Sequence, residues 1–189
     1  MLHWSPNRWQ LAEDLGALLR LTVRNGTVVT PQGSYSADVE CEDGRITALV
    51  AAGESSGADE EIDASGLLVF PGFIDPHVHS RDPGLTEKED FAHSTRAAAA
   101  GGVTTIFEMP NAIPPVSDVS VFRERAEQHA RVAFVDFGLW AISLGRENLG
   151  EVAALVEEGA VGVKLFWGTR CIVRPSSSST TSPTSRRRT

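Results

Sequence analysis

From residue 72 onward, short β-rich runs alternate with helical stretches, and this rhythm restricts the chain to a parallel α/β arrangement. Extended segments are expected at 72–78, 103–109, 132–139 and 161–167, with helices at 87–100, 119–130 and 149–158. Strands joined by helical crossovers pair in parallel in one sheet. A closed (β/α)8 barrel needs eight such units, so residues 71–170 supply the first four, half of a TIM barrel.

The residues before the alternation read differently. β-rich runs at 21–24, 27–30, 37–42 and 45–50 are punctuated by Asn25-Gly26 and Asp43-Gly44, both read as turns, which predicts a small β-sandwich segment over 21–70. Leu11, Leu15, Leu18 and Leu19 recur at helical spacing, so an N-terminal extension over 1–20 carries a short amphipathic helix at 7–19. At the other end, ten of the nineteen residues from 171 to 189 are Ser or Thr, which predicts a disordered low-complexity tail. The βα pattern breaks off there within a few residues while the composition changes abruptly, and a shifted reading frame is the expected cause.

Charge narrows the function classes. Residues 1–170 carry 13 basic against 25 acidic side chains, and an acidic body argues against a nucleic-acid partner. No apolar run approaches the roughly 18 residues that span a bilayer, which argues against a membrane partner. The N-terminus lacks the basic start and continuous apolar stretch of a secretion signal. Only Cys41 and Cys171 are present, in segments of unlike character, so no disulfide framework is expected and the cytoplasm is the predicted compartment.

The chemistry concentrates at predicted strand ends. His77 and His79 close the first βα strand, and side chains two residues apart on a strand face the same way, so both imidazoles can reach one metal ion. Catalytic residues of parallel barrels gather at the C-terminal ends of the strands. Lys164 interrupts the apolar run Val161-Gly162-Val163-Lys164-Leu165-Phe166-Trp167 near the end of the fourth strand. A buried ammonium is costly and sheds its proton, and a neutral amine can add carbon dioxide to become an anionic carbamate.

These residues belong to a larger set. Pro71-Gly72-Phe73-Ile74-Asp75-Pro76-His77-Val78-His79, Arg81-Asp82-Pro83-Gly84, Lys88-Glu89-Asp90-Phe91, Gly101-Gly102-Val103-Thr104-Thr105, Met109-Pro110-Asn111 and Val163-Lys164-Leu165-Phe166 resemble the cyclic amidohydrolases, the dihydroorotase, allantoinase and hydantoinase (dihydropyrimidinase) family. The resemblance covers about residues 21–168. It implies a binuclear zinc site with His77, His79 and a carbamylated Lys164 among the ligands, a small cyclic amide as substrate, and a homo-oligomer for the complete enzyme. It also implies two further histidines and a catalytic aspartate from later strands, none of which matches a position in residues 1–170. The chain alone is therefore expected to be inactive.

Within the family, Arg81 and Asn111 resemble the residues by which dihydroorotases hold the substrate carboxylate. A guanidinium grips a carboxylate through two parallel hydrogen bonds and finds no such partner on a neutral hydantoin. Dihydroorotase is thus the leading expectation. Allantoinase and hydantoinase stay open, because Phe137-Gly138-Leu139-Trp140 and the segment 159–166 resemble those enzymes too. A non-catalytic scaffold relative is the alternative of another class. His93 reads as a helix-surface residue, His129 has no pattern around it, and Glu108 beside Met109-Pro110-Asn111 could face the pocket but reads by default as a screened strand-end carboxylate.

Overall fold

The computed structural model describes residues 20–167. The helix expected over 7–19, Cys171 and the tail from 171 lie outside the described residues.

Residues 20–69 form one five-stranded sheet. Strands β1 (Arg20–Thr30), β2 (Gly33–Glu42) and β3 (Arg45–Ala51) pair antiparallel in the order β3-β2-β1, and β4 (Glu60–Asp63) and β5 (Leu68–Val69) both run parallel to β1. Asp43-Gly44 is the expected turn between β2 and β3, both residues having positive φ (50° and 71°), as a tight hairpin requires. Asn25-Gly26 is not a turn. Strand β1 runs straight through it with a bulge, the register shifting between Val23 and Gly26 while Asn25 takes φ 61°. Two contacts favour the bulge over the reversal. The Asn25 N–H donates to the buried Asp38 carboxylate at 2.8 Å, and β5 lies so close that a Cβ on Gly26 would sit 2.5 Å from a Val69 methyl. The chain reverses instead at Pro31-Gln32. Val28, Ala37 and Val39 form the sheet's buried apolar centre.

Strands β6 (Phe73–Val78), β7 (Val103–Glu108), β8 (Asp136–Ser143) and β9 (Gly162–Leu165) form a parallel sheet in chain order. Helices α1 (Phe91–Ala100), α2 (Val119–Ala130) and α3 (Val152–Glu157) make the crossovers, α3 following two single 3-10 turns. This is the curled arc of a half barrel, with β6 and β9 as its outer strands. Phe73 and Ile74 on β6, Leu165 on β9 and Trp167 just beyond it are exposed.

Two expected boundaries shift for physical reasons. Helix α1 starts at Phe91 rather than 87, because Asp90 caps it by accepting the His93 N–H at 2.8 Å. The third strand of the arc spans Asp136–Ser143 rather than 132–139, since the N–H groups of Val132 and Ala133 still bond to the His129 carbonyl and complete the last turn of α2. Val116, Phe122, Leu139, Ala141 and Leu155 pack between α2, α3 and β8 to form the arc's core.

Candidate active site

The C-terminal end of β6 carries the histidine pair. Asp75 accepts the His77 N–H at 3.0 Å, and the Trp140 indole of β8 donates to the Pro76 carbonyl at 3.1 Å, so the strand end is anchored from its own chain and from across the sheet. The imidazole rings of His77 and His79 have centroids 5.2 Å apart and are tilted by 51°. His77 is exposed, whereas His79 is half-buried and its Nδ1 has no hydrogen-bond partner among the described residues. Burial, reinforced by the charges of Arg81, His77 and Lys164, holds the His79 ring below the usual histidine range. It is therefore neutral at physiological pH and keeps a lone pair for coordination.

Lys164 lies on β9, in register with Ile142 of β8, and is half-buried with its Nζ 5.3 Å from the Phe166 ring centroid. Two strands separate it from β6, yet its charge is felt at His79, as expected of residues that share one end of the sheet. A neutral imidazole with an unpartnered buried nitrogen, a second imidazole beside it and a nearby amine suit a divalent zinc ion in chemical character.

The two expected substrate residues sit on loops that are locked together. Arg81 follows β6 in the left-handed region, φ 64°, and forms no ion pair among the described residues. Asn111 follows β7 and its buried Oδ1 has no partner there either. Between these loops, the Met109 N–H donates to the Val78 carbonyl at 2.7 Å and the Ile113 N–H to the Pro83 carbonyl at 2.9 Å. From α2, Arg125 donates to the Asp82 carbonyl at 3.2 Å and the Pro114 carbonyl at 2.9 Å.

Beneath the loops lies Glu108, the last residue of β7, buried with its carboxylate accepting the Ser80 N–H at 3.0 and 3.1 Å. Burial pushes its carboxyl up to about 7, outweighing the Ser80 bond and the charges of Arg125 and Arg81, which favour ionisation. The default reading of Glu108 as a screened strand-end carboxylate is therefore corrected. Period-two alternation carried the signal, since Glu108 shares the inward side of β7 with fully buried Ile106. Arg125 and His129 were legible in the same way, spaced with Phe122 along the buried stripe of α2. His129 is stacked on Phe91 with ring centroids 3.7 Å apart, and burial, with a smaller effect of Arg125, drives its pKa down to about 3.

Glu89, Asp90 and His93 at the start of α1 also bring ligand atoms within 4.8 Å of one another. Asp90 is engaged there by the helix cap and by the His93 ring at 2.7 Å, and His93 is exposed on the helix surface as expected.

Residues 66–175 match the model of the dihydro-orotase-like family. An allantoinase of Solibacter usitatus is 46% identical over 145 residues, which are 76% of this chain and 31% of that protein. A dihydroorotase of Streptococcus pneumoniae is 40% identical over 148 residues, 75% of this chain and 34% of that protein. Among solved structures, an L-hydantoinase from Arthrobacter aurescens aligns with a TM-score of 0.73 at 35% identity, covering 77% of this chain and 32% of that one. The chain thus spans about a third of the length of the curated relatives it matches.

Proposed function

The chain belongs to the dihydroorotase-like cyclic amidohydrolases, and from that premise we propose that it supplies the first-strand metal ligands and the substrate-carboxylate grip of a zinc-dependent hydrolase of cyclic amides, with dihydroorotate as the substrate. The observation that carries this reading is the gathering of His77, His79, Arg81 and Asn111 on two interlocked strand-end loops, within reach of the Lys164 charge. His77, His79 and a carbamate on Lys164 would hold the metal. When bound, zinc supplies Lewis-acid polarisation of the ring carbonyl and a water ionised near neutral pH.

The chain's own residues have defined tasks. Lys164 in its neutral form bonds its nitrogen to the carbon of carbon dioxide and loses a proton, so a cationic side chain becomes an anionic oxygen donor. His79, kept neutral by burial, offers nitrogen rather than positive charge. Arg81, with no carboxylate of its own among the described residues, pairs with the substrate carboxylate, and Asn111 contributes its amide beside it. On the same reading, residues 21–70 form part of a β-sandwich next to the barrel, and the complete enzyme is a cytoplasmic homo-oligomer whose later strands add the remaining ligands and the proton-transferring aspartate.

Allantoin is the second reading, supported by the 46% identity to the Solibacter allantoinase. Zinc uptake and ring binding by the purified chain test both. We expect zinc uptake that His77→Ala/His79→Ala abolishes, and dihydroorotate binding that Arg81→Ala weakens by about 2 kcal/mol, the scale of a charge-assisted bond. Zinc uptake indifferent to the double replacement removes the metal assignment and favours a non-catalytic relative. Tighter binding of allantoin than of dihydroorotate, untouched by Arg81→Ala, makes allantoin the substrate.

A further inference from the structure

We propose that Glu108 is a positioning residue: its buried carboxylate, by accepting the Ser80 N–H, fixes the segment that presents His79 and Arg81 and ties it to the strand end that presents Asn111. The inference rests on the preceding reading of His79, Arg81 and Asn111 and gives it a supporting layer.

Ser80 stands between a metal-ligand candidate and a substrate-grip candidate. Its side chain is fully buried, and Glu108 is the polar group that both its hydroxyl and its N–H face, the N–H bond having full hydrogen-bond geometry. Both carboxylate oxygens lie within 3.1 Å of that one N–H. The direction in which the chain leaves Ser80 matters, because Arg81 is held in the left-handed region and a rotation about Ser80 would swing His79 and Arg81 in opposite senses. Glu108 also immediately precedes Met109, whose N–H bonds back to Val78, so one residue links the ends of β6 and β7. The loops beyond are held in turn by Arg125, which itself touches no candidate ligand in the described contacts. Groups that orient metal ligands without touching the metal are typically worth 10–100-fold in affinity when removed.

Two replacements separate the acceptor from the charge. Glu108→Gln loses the charge but keeps an oxygen at the same reach, whereas Glu108→Asp keeps the charge and withdraws both oxygens by one methylene. In the full chain we expect Glu108→Gln to preserve slow hydrogen exchange at the Ser80 amide and zinc affinity, measured against a chromophoric chelator. We expect Glu108→Asp to speed exchange at Ser80 about ten-fold more than at Val39 in the other sheet, and to weaken zinc on the order of ten-fold. The opposite ranking, or equal acceleration at Ser80 and Val39, overturns the proposal. So does a zinc affinity unchanged when Ser80 is released. If the unaltered chain takes up no zinc, the metal reading fails on its own account and Glu108 is judged from amide resonances: shifts at His79 and Arg81 in the Asp variant but not the Gln variant support it, and unshifted resonances overturn it.

Discussion

Asp38 in the N-terminal sheet and Glu108 in the parallel arc are both shielded from water, yet their carboxyls are driven in opposite directions. Asp38 accepts the Asn25 N–H at 2.8 Å on one oxygen and the Gly53 N–H at 3.0 Å on the other, and the Asn25 bond outweighs a burial penalty kept small by the thinness of a single sheet. Glu108 offers both oxygens to one N–H inside the thicker α/β layer, and burial wins. The same functional group is thus a permanent anion that shapes a β-bulge in one region and a group balanced near neutrality in the other. Donor count and surrounding protein mass decide which.

Buried His129 should make the arc the acid-sensitive region once the titration of Glu108 no longer opposes it. His129 has no counterpart in the N-terminal sheet, and its folded pKa of about 3 lies well below the ordinary value of 6.5. Its contribution to stability is complete above pH 6.5 and is lost as pH falls toward 3, on the order of 5 kcal/mol at about 1.4 kcal/mol per unit. With the opposing titration of Glu108 removed by Glu108→Gln, we expect amides of Ile106 and Ala141 to lose protection between pH 6.5 and 4 before those of Val28 and Val39. His129→Phe, which keeps the stacking on Phe91, should remove that early loss. Equal loss in both sheets while His129 is present, or an early loss that survives His129→Phe, would erase the distinction.

Asp38→Ala probes the other side of the comparison with a somewhat smaller effect. It leaves two N–H groups, of Asn25 and Gly53, without their acceptor, at a cost of about 3 kcal/mol. Because the lowered pKa keeps Asp38 ionised above the ordinary carboxylate range, the loss in urea-monitored unfolding should be constant from pH 5 to 8. Asp38→Asn, retaining one acceptor, should recover part of it. A loss that varies with pH across that range would place Asp38 in the same class as Glu108.

What could be read in the sequence follows the range of the interactions that decide it. The alternation that gives four parallel strands is local patterning, and it placed α2 at Val119–Ala130 and His77, His79 and Lys164 at strand ends. Asn25-Gly26 misled because its fate depends on Asp38 and Val69, thirteen and more residues away, which turn a reversal signal into a bulge. Helix α1 starts later than its local pattern predicts because residues 87–90 have no local breaker, and only the Asp90 cap and the bond from the Phe91 N–H to Asp82 mark the start. The supporting layer of the site shows the same limit. Period two and the helical stripe were available to turn Glu108, Arg125 and His129 inward, but no spacing reveals the partners that make them tolerable there, backbone groups of distant loops for Glu108 and Arg125 and the Phe91 ring for His129.

The titration of Glu108 gives the most specific test. The Glu108 carboxyl titrates at about 7 in the fold against an ordinary 4.5, so the folded protein binds the proton more tightly than the unfolded chain. Its contribution is fully present below pH 4.5 and is lost as pH rises through 7, the reverse of the His129 slope over their shared window. In the unaltered chain the two trends oppose each other between pH 4.5 and 6.5 and should partly cancel. Glu108→Gln, neutral at every pH, should remove one of them: above pH 7.5 the variant should exceed the original in stability by about 3 kcal/mol, and below pH 6 only the acid-side fall from His129 should remain. Urea unfolding at half-unit pH intervals, followed through Trp fluorescence, reads both arms in one series. A variant whose curve runs parallel to the original across the whole range would show that Glu108 is held as an anion like Asp38, and the contrast between the two sheets would reduce to His129 alone.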